Sequence, residues 1–337
     1  ETARIYNTEK YMGDTLFLHH DVYTNGIGYL DLLFDVKKVP RDLVPYMGIL
    51  KSVLGYVDTE HYTYGQLFNE INARSGGIYF GIQVFGKGKD DRPPVHVMGV
   101  KAKALYKDIP FVFEMIKEIL CTSKLDDDRR LYEIIAKMKS RLQMGLASSG
   151  HTTAVNRALS YFSENSYFQE MIGGIDFYKL IDELERNFQE KKQEIRENLD
   201  QLIKMVFRPE NLIVSYTAEE EGCRCMEEQV EELKKVLYTE EVKEGSMVPD
   251  FEVKNEGFMT SGQVQYVAAA GNFAEAGYQY TGALRILKVM LSYEYLWTNI
   301  RVKGGAYGCM SGFRRNGDSF LVSYRDPNLK KTLEVFK

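Results

Sequence analysis

From Gly28 to Val36 the chain alternates. Gly28, Leu30, Leu32, Phe34 and Val36 interleave with Tyr29, Asp31, Leu33 and Asp35, the period of two that lays one side of a strand on a core. Thr24-Asn25-Gly26 supplies the turn into it. The period then lengthens: residues 43–54 and 64–73 carry apolar positions at helical spacing. Ser75-Gly76-Gly77 ends the second helix with glycines that can adopt positive φ. Strands are predicted at 78–85 and 95–104, and the Gly-, Pro- and Asp-rich stretch from Gly86 to Pro94 between them predicts a hairpin. Helices follow at 111–120 and 126–146, then a break at Ser148-Ser149-Gly150, then one long charged helix from Phe177 to about Val206. Residues 211–216 predict a strand, and Met226, Val230, Leu233 and Leu237 form one stripe of the next helix. Residues 240–257 are polar, contain Gly245 and Pro249, lack helical periodicity and read as a linker. Beyond them come a strand at 264–269, a helix with Leu284, Leu287, Leu291 and Tyr295 on one face, and strands near 306–313 and 319–324.

Laying the two halves together exposes a repeat. Leu67-Phe-Asn-Glu-Ile71 precedes Gly76-Gly-Ile-Tyr79, a strand, a turn and a second strand. Leu296-Trp-Thr-Asn-Ile300 precedes Gly304-Gly-Ala-Tyr307 and the same succession. One α+β unit, an antiparallel sheet with helices packed on it, is therefore expected twice in tandem. The second copy stops shortly after Tyr324 and reads as incomplete. With a first residue of Glu instead of Met, this suggests a piece of a longer polypeptide. The expected division is 1–239 for the first unit with its following helix, 240–257 for the linker and 258–337 for the second.

Composition narrows the function classes. At 337 residues, with 44% hydrophobic and 27% charged residues, the chain is long enough for two cores and shows no mark of disorder. A net charge of -5 with short, interleaved basic runs argues against nucleic-acid binding. No apolar run reaches the roughly 20 residues that span a bilayer, so no membrane partner is expected. The four cysteines are scattered, and Cys223-Arg-Cys225 has the wrong spacing for a zinc knuckle, so reduced thiols are expected. The charged positions from Asp182 to Lys204 recur at helical intervals and read as a solvated face.

The stretch Arg301-Val-Lys-Gly-Gly-Ala-Tyr-Gly308 resembles the Arg-and-Tyr motif in the C-terminal half of pitrilysin/insulinase family zinc peptidases, closest to the presequence protease and falcilysin branch. His20-Asp-Val-Tyr-Thr-Asn-Gly-Ile27, Gly76-Gly-Ile78, Ser149-Gly-His151 and Gln265-Tyr-Val-Ala-Ala-Ala-Gly-Asn272 resemble further segments of that branch, in the expected order. The resemblance spans nearly the entire chain and lacks the end of the family's last domain. It implies four related α+β domains in two bowl-shaped halves around an unfolded peptide substrate, with zinc held only by the N-terminal half of the same polypeptide. The third domain and the beginning of the fourth would lie here. The expected free thiols and the lack of a targeting segment point to a bacterial cytoplasmic location, or to a mitochondrion or other organelle if the source is eukaryotic, with a transit peptide upstream of this start.

The family's zinc comes from an inverted His-x-x-Glu-His helix, whose spacing sets both histidines on one face, plus a downstream Glu. The helix in that register here reads Met47-Gly-Ile-Leu-Lys51, without histidine or acid, and none of the five histidines (19, 20, 61, 96 and 151) lies four from another. No metal is expected in this chain. His19-His20-Asp21 does not change this, because strand neighbours point to opposite faces; Glu60-His61 reads as a turn and His151 as a helix-start residue. Arg301 and Tyr307 sit on either side of Gly304-Gly305, which release a helix into a strand. A guanidinium there can hold peptide carbonyls, and a Tyr hydroxyl can donate to a developing oxyanion. The resemblance gives these two positions that role, with Gly304, Gly305 and Gly308 as the substrate loop. Without it, Arg301 reads as a helix C-cap and Tyr307 as an ordinary strand aromatic. The expected function is thus the non-metal half of a zinc oligopeptidase, inactive alone. The other reading is a non-catalytic binding or assembly subunit that keeps the peptidase fold.

Overall fold

A computed structural model describes residues 7–86 and 94–337. In chain order its strands are β1 (Thr8–Met12), β2 (Thr15–His20), β3 (Ile27–Asp35), β4 (Ile78–Phe85), β5 (Val95–Leu105), β6 (Leu212–Thr217), β7 (Ala268–Asn272), β8 (Gly308–Phe313) and β9 (Asp318–Tyr324). Its helices are α1 (Val44–Val53), α2 (Tyr64–Arg74), α3 (Ile109–Thr122), α4 (Asp128–Ser148), α5 (Gly150–Leu159), α6 (Glu164–Gly173), α7 (Ile175–Arg186), α8 (Phe188–Val206), α9 (Glu220–Lys234), α10 (Ala283–Met290) and α11 (Lys330–Phe336). After α10 the chain continues as a wider, π-helical stretch over Leu291–Val302, in which the Lys303 amide bonds Thr298 O at 3.0 Å.

Packing divides the described residues into two compact units, and the division is not sequential. One unit comprises 7–85, 95–136 and 184–247, and the other 137–183 and 248–337 with Gly86 and Pro94. Residues 137–183, grouped by sequence with the first 239, belong to the second unit for a packing reason. Val155 and Leu159 of α5 bury against Val322, Ala268, Ala270 and Phe320 of the second sheet. The expected linker is likewise free of helix and strand, but it changes unit after Met247.

The first unit holds a six-stranded sheet ordered β1-β2-β6-β3-β5-β4. All its pairs are antiparallel except β2 with β6, which is parallel. The alternation read at 28–36 is β3: Leu30, Leu32 and Phe34 are buried, and the Phe34 ring meets Phe207 edge-on at 5.0 Å. Helix α1 packs on α8 and β4, and α3 packs on α9 and β5. Thr63 opens α2 with a reciprocal capping box to Gln66, the Thr hydroxyl accepting from the Gln66 amide. The long helix expected from Phe177 to Val206 is two helices, broken at Asn187, with Leu184 before the break and Phe188 after it both buried. Of the expected hairpin turn after β4, residues 87–93 lie outside the described residues.

The second unit holds a three-stranded sheet ordered β7-β9-β8. Its first strand begins four residues later than the expected 264, because Gln265 makes only an isolated bridge to Asp326. The repeat is real in architecture. In the first unit β3-β5-β4 has the connectivity that β7-β9-β8 has in the second. Leu67 and Ile71 before β4, and Leu296 and Ile300 before β8, are buried alike. Gly77 and Gly305 both take positive φ, 100° and 80°. The apolar face expected around Leu284, Leu287 and Tyr295 is only partly covered: Leu287 is 39% and Tyr295 46% exposed.

Candidate functional site

Arg301 lies in the last turn of the π-helical stretch, and the chain then folds tightly. The Gly305 amide bonds Arg301 O at 2.9 Å, the Ala306 amide bonds Ile300 O at 3.1 Å, and Asn328 Nδ2 donates to Gly304 O at 2.6 Å. A Cβ on Gly304 would collide with the Ile300 carbonyl, and Gly305 has φ 80°, so both positions need glycine. Gly308 differs, since a Cβ there would make only an ordinary 3.8 Å contact with Tyr324. Buried Ala306 anchors the turn beside Leu296 and Ile300. The Tyr307 amide then reaches Tyr324 O at 3.0 Å, which fixes Tyr307 at the entrance to β8.

The structure brings Arg301 and Tyr307 together. Arg301 Nη1 donates to the Tyr307 carbonyl at 2.7 Å, and the guanidinium stands 5.6 Å from the Tyr307 ring centroid. It also stacks over Trp297 at 4.2 Å. Among the described residues no carboxylate pairs with Arg301, so most of its five donors remain for another acceptor. Tyr307 is 65% exposed, its ring set against Tyr324 at 6.1 Å, and its hydroxyl has no partner among the described residues. Arg301 therefore does more than cap its helix: it bonds a carbonyl beyond the helix.

Trp297, the only tryptophan of the chain, carries no motif signal of its own, although it stands one turn before Arg301. It also lines a cleft of about 750 Å³, with Val155, Lys288 and Met310 among the other walls. His151 lies in the first turn of α5, as expected, with its ring edge-on to Tyr324 at 5.0 Å. Cys309, beside Tyr307, has its thiol pushed up by burial.

Met47, Ile49 and Leu50 of α1 are completely buried in the hydrophobic core, and burial lowers the Lys51 pKa. This helix offers no metal donor. His19 and His20 diverge, Nε2 of one meeting Ala218 O and Nε2 of the other meeting Ser215 Oγ. Among the described residues no group of three His, Cys, Asp or Glu could hold a metal, and no helix is long and apolar enough to cross a membrane.

The duplicated sheet-and-helix unit, with Arg301 and Tyr307 together at the helix-to-strand turn of the second copy, defines a tandem α+β module. The chain belongs to the M16 peptidases of pitrilysin/insulinase type: residues 2–184 match the model of the domain associated with peptidase family M16, subfamily C, and residues 255–337 match the PreP C-terminal domain. It is similar to Protein HypA of Clostridium perfringens, 38% identical over 336 residues that cover 100% of this chain and 34% of that protein. Presequence protease 1, chloroplastic/mitochondrial, of Arabidopsis thaliana is 28% identical over 323 residues, covering 95% of this chain and 30% of that protein. The chain thus spans about a third of these curated relatives' length. A crystal structure of a conserved protein from Enterococcus faecalis V583 shares the fold, with a TM-score of 0.63 at 13% identity over 98% of this chain and 78% of that one.

Proposed function

We propose that this chain is the substrate-clamping half of a zinc-dependent oligopeptidase acting on unfolded peptides, with Arg301 and Tyr307 as its working side chains. The observation that carries the reading is the turn at 301–307: a guanidinium free of carboxylates and an uncommitted, exposed phenol held at one strand entrance. Arg301, already oriented by Trp297 and by the Tyr307 carbonyl, would present its remaining N–H groups to peptide carbonyls. The Tyr307 hydroxyl would donate to the oxyanion that develops as the scissile carbonyl is attacked, an interaction stronger in the transition state than in the bound peptide. Gly304 and Gly305 hold the two side chains at this separation.

The α1 donor set does not fit zinc, so in this reading the metal belongs to the preceding half of the polypeptide, which partners this chain. In family terms residues 1–239 are then the third module, 240–257 the connection and 258–337 the beginning of the fourth. Helix α5, within 137–183, packs on the fourth module's sheet.

The test is kinetic, in an active polypeptide that joins this chain to its zinc-binding half. Tyr307→Phe should lower kcat about 10²- to 10³-fold while peptide affinity stays within about twofold. Arg301→Lys, which keeps charge but loses the planar fork, should raise KM as well. An unchanged kcat in Tyr307→Phe removes Tyr307 from the mechanism. The chain by itself should leave a peptide substrate intact over the same incubation; zinc-dependent cleavage by it would refute the division of labour.

A further inference from the structure

The segments Ser149-Gly-His151 and Gln265-Tyr266 contribute no side chain to the Arg301–Tyr307 pair, yet the second unit brings both within one intervening ring of Tyr307. They meet at Tyr324, the last residue of β9. Its ring stands 6.1 Å from the Tyr307 ring, with the two planes 62° apart. His151 meets the same ring edge-on, at 5.0 Å and 90°, and Tyr266 lies 5.6 Å from it. Edge-to-face contacts at these separations are attractive and directional, so each ring limits the tilt of the next. Gly150 makes room for the group, because a Cβ there would run into the Tyr266 ring. The Gly-His order that opens α5 thus has a packing reason at both positions.

The main chain is braced at the same place. The Tyr307 amide bonds Tyr324 O at 3.0 Å and Arg325 O at 3.3 Å. Arg325 holds φ at 48°, a left-handed conformation that a residue with a Cβ keeps only where its surroundings hold it. Gln265 and Asp326 exchange amide-to-carbonyl bonds of 2.9 Å, which seats the neighbouring Tyr266 beside Tyr324. Backbone bonds of this kind fix the Tyr307 main chain; they do not fix the direction of its phenol. An exposed phenol without a wall changes rotamer on the picosecond-to-nanosecond scale, whereas a donor to an oxyanion must stay within about 0.5 Å of its place. The Tyr324 ring is such a wall, and His151 stands against it.

From this geometry we infer that His151 is a positioning residue of the clamp: it fixes the tilt of the Tyr324 ring, and that ring sets the direction of the Tyr307 phenol. The inference rests on the proposed oxyanion role of Tyr307 and deepens it by naming what holds the hydroxyl in place. It gives His151 a role beyond that of a helix-start residue.

The first readout needs neither zinc nor turnover. In the chain labelled with meta-fluorotyrosine, the fluorine NMR signal of Tyr307 is the one missing from Tyr307→Phe. The Tyr324 ring current displaces that signal from its position in the urea-unfolded chain. His151→Ala should move it toward the unfolded position by more than its linewidth, and His151→Phe, which restores an aromatic edge, should hold it in place. If His151→Ala does not fold by circular dichroism, His151→Leu, which fills the site without a ring, replaces it. The second readout is kinetic, in the polypeptide that joins this chain to its zinc-binding half. His151→Ala should lower kcat about tenfold with KM within about twofold, and His151→Phe should recover to within about threefold. In a Tyr307→Phe background, His151→Ala should cost less than about twofold more, because the hydroxyl it positions is gone. A Tyr307 signal unmoved by His151→Ala, or a full tenfold loss that persists without the Tyr307 hydroxyl, overturns the inference. If Tyr307→Phe alone leaves kcat unchanged, the oxyanion reading fails, while the fluorine signal still decides whether His151 places the phenol.

Discussion

Replacing Arg157 by Met should destabilise the second unit by about 3–5 kcal/mol at pH 7, and by roughly half as much near pH 4.5. Arg157, on α5, is 7% exposed and holds three carboxylates: Glu170 of α6 at 3.0 Å, Asp176 of α7 at 2.6 Å and Glu256 at 2.6 and 3.0 Å. The last belongs to the polar stretch expected to be a simple linker, so one guanidinium ties that segment to three helices. Asp176 and Glu256 are accessible enough to rehydrate when the Arg is lost, but Glu170 is 4% exposed and its Oε2 already lacks a partner. The large figure therefore comes from one buried, uncompensated anion.

The pH dependence follows from the signs. Burial raises the Glu170 pKa above its ordinary value, so its carboxyl favours folding at low pH, and that contribution is lost as pH rises through the folded pKa. In the variant the compensating Arg is gone, the rise is larger and protonation brings more relief. Glu256 has the opposite sign. The Arg157 hydrogen bonds hold it at about 2, so its contribution is present above about 4.5 and fades as pH falls toward 2. Urea unfolding followed by Trp297 emission reads this unit, since Trp297 lies within it. A loss under about 1 kcal/mol at pH 7, or one as large at pH 4.5, would refute the argument. Glu256→Gln should cost less, about 1–2 kcal/mol.

Three further outcomes are expected. Gly305→Ala, forced to hold φ 80°, should cost about 1–2 kcal/mol by Trp297-monitored unfolding, whereas Gly308→Ala should stay within about 0.5 kcal/mol; equal effects would show that the turn does not depend on positive φ. Gly28→Ala would push a Cβ into the hydroxyl of fully buried Tyr216, which donates to Gly222 O at 3.2 Å. Thermal unfolding by circular dichroism should show a loss of about 1–3 kcal/mol, and a neutral result would contradict that packing. Burial raises the pKa of all four thiols, Cys223 to about 11, so aromatic disulfide reagents at pH 8 should label the folded chain far more slowly than the urea-unfolded chain; a fast-reacting thiol would refute this.

The features legible in the order of residues alone are local. The alternation at 28–36 was sufficient for β3, because a strand with one apolar side buries that side whatever covers it. The matched segments around Leu67 and Leu296 revealed the duplicated unit, and Gly304-Gly305 marked the tight turn that sets Arg301 beside Tyr307. Features that depend on distant partners were settled in three dimensions. The parallel pairing of β2 with β6 joins segments about two hundred residues apart, so no local period encodes it. The break at Asn187 falls inside an unbroken helical pattern, so the spacing of apolar residues does not mark it. Residues 137–183 follow the first unit in sequence, yet they pack in the second because Val155 and Leu159 find their cover on β7 and β9. The bond from Arg157 to Glu256 and the ring contacts of Tyr324 likewise come from segments that periodicity treats separately. Repeating spacing specifies which face of an element is apolar; which surface meets that face is fixed only when the chain closes on itself.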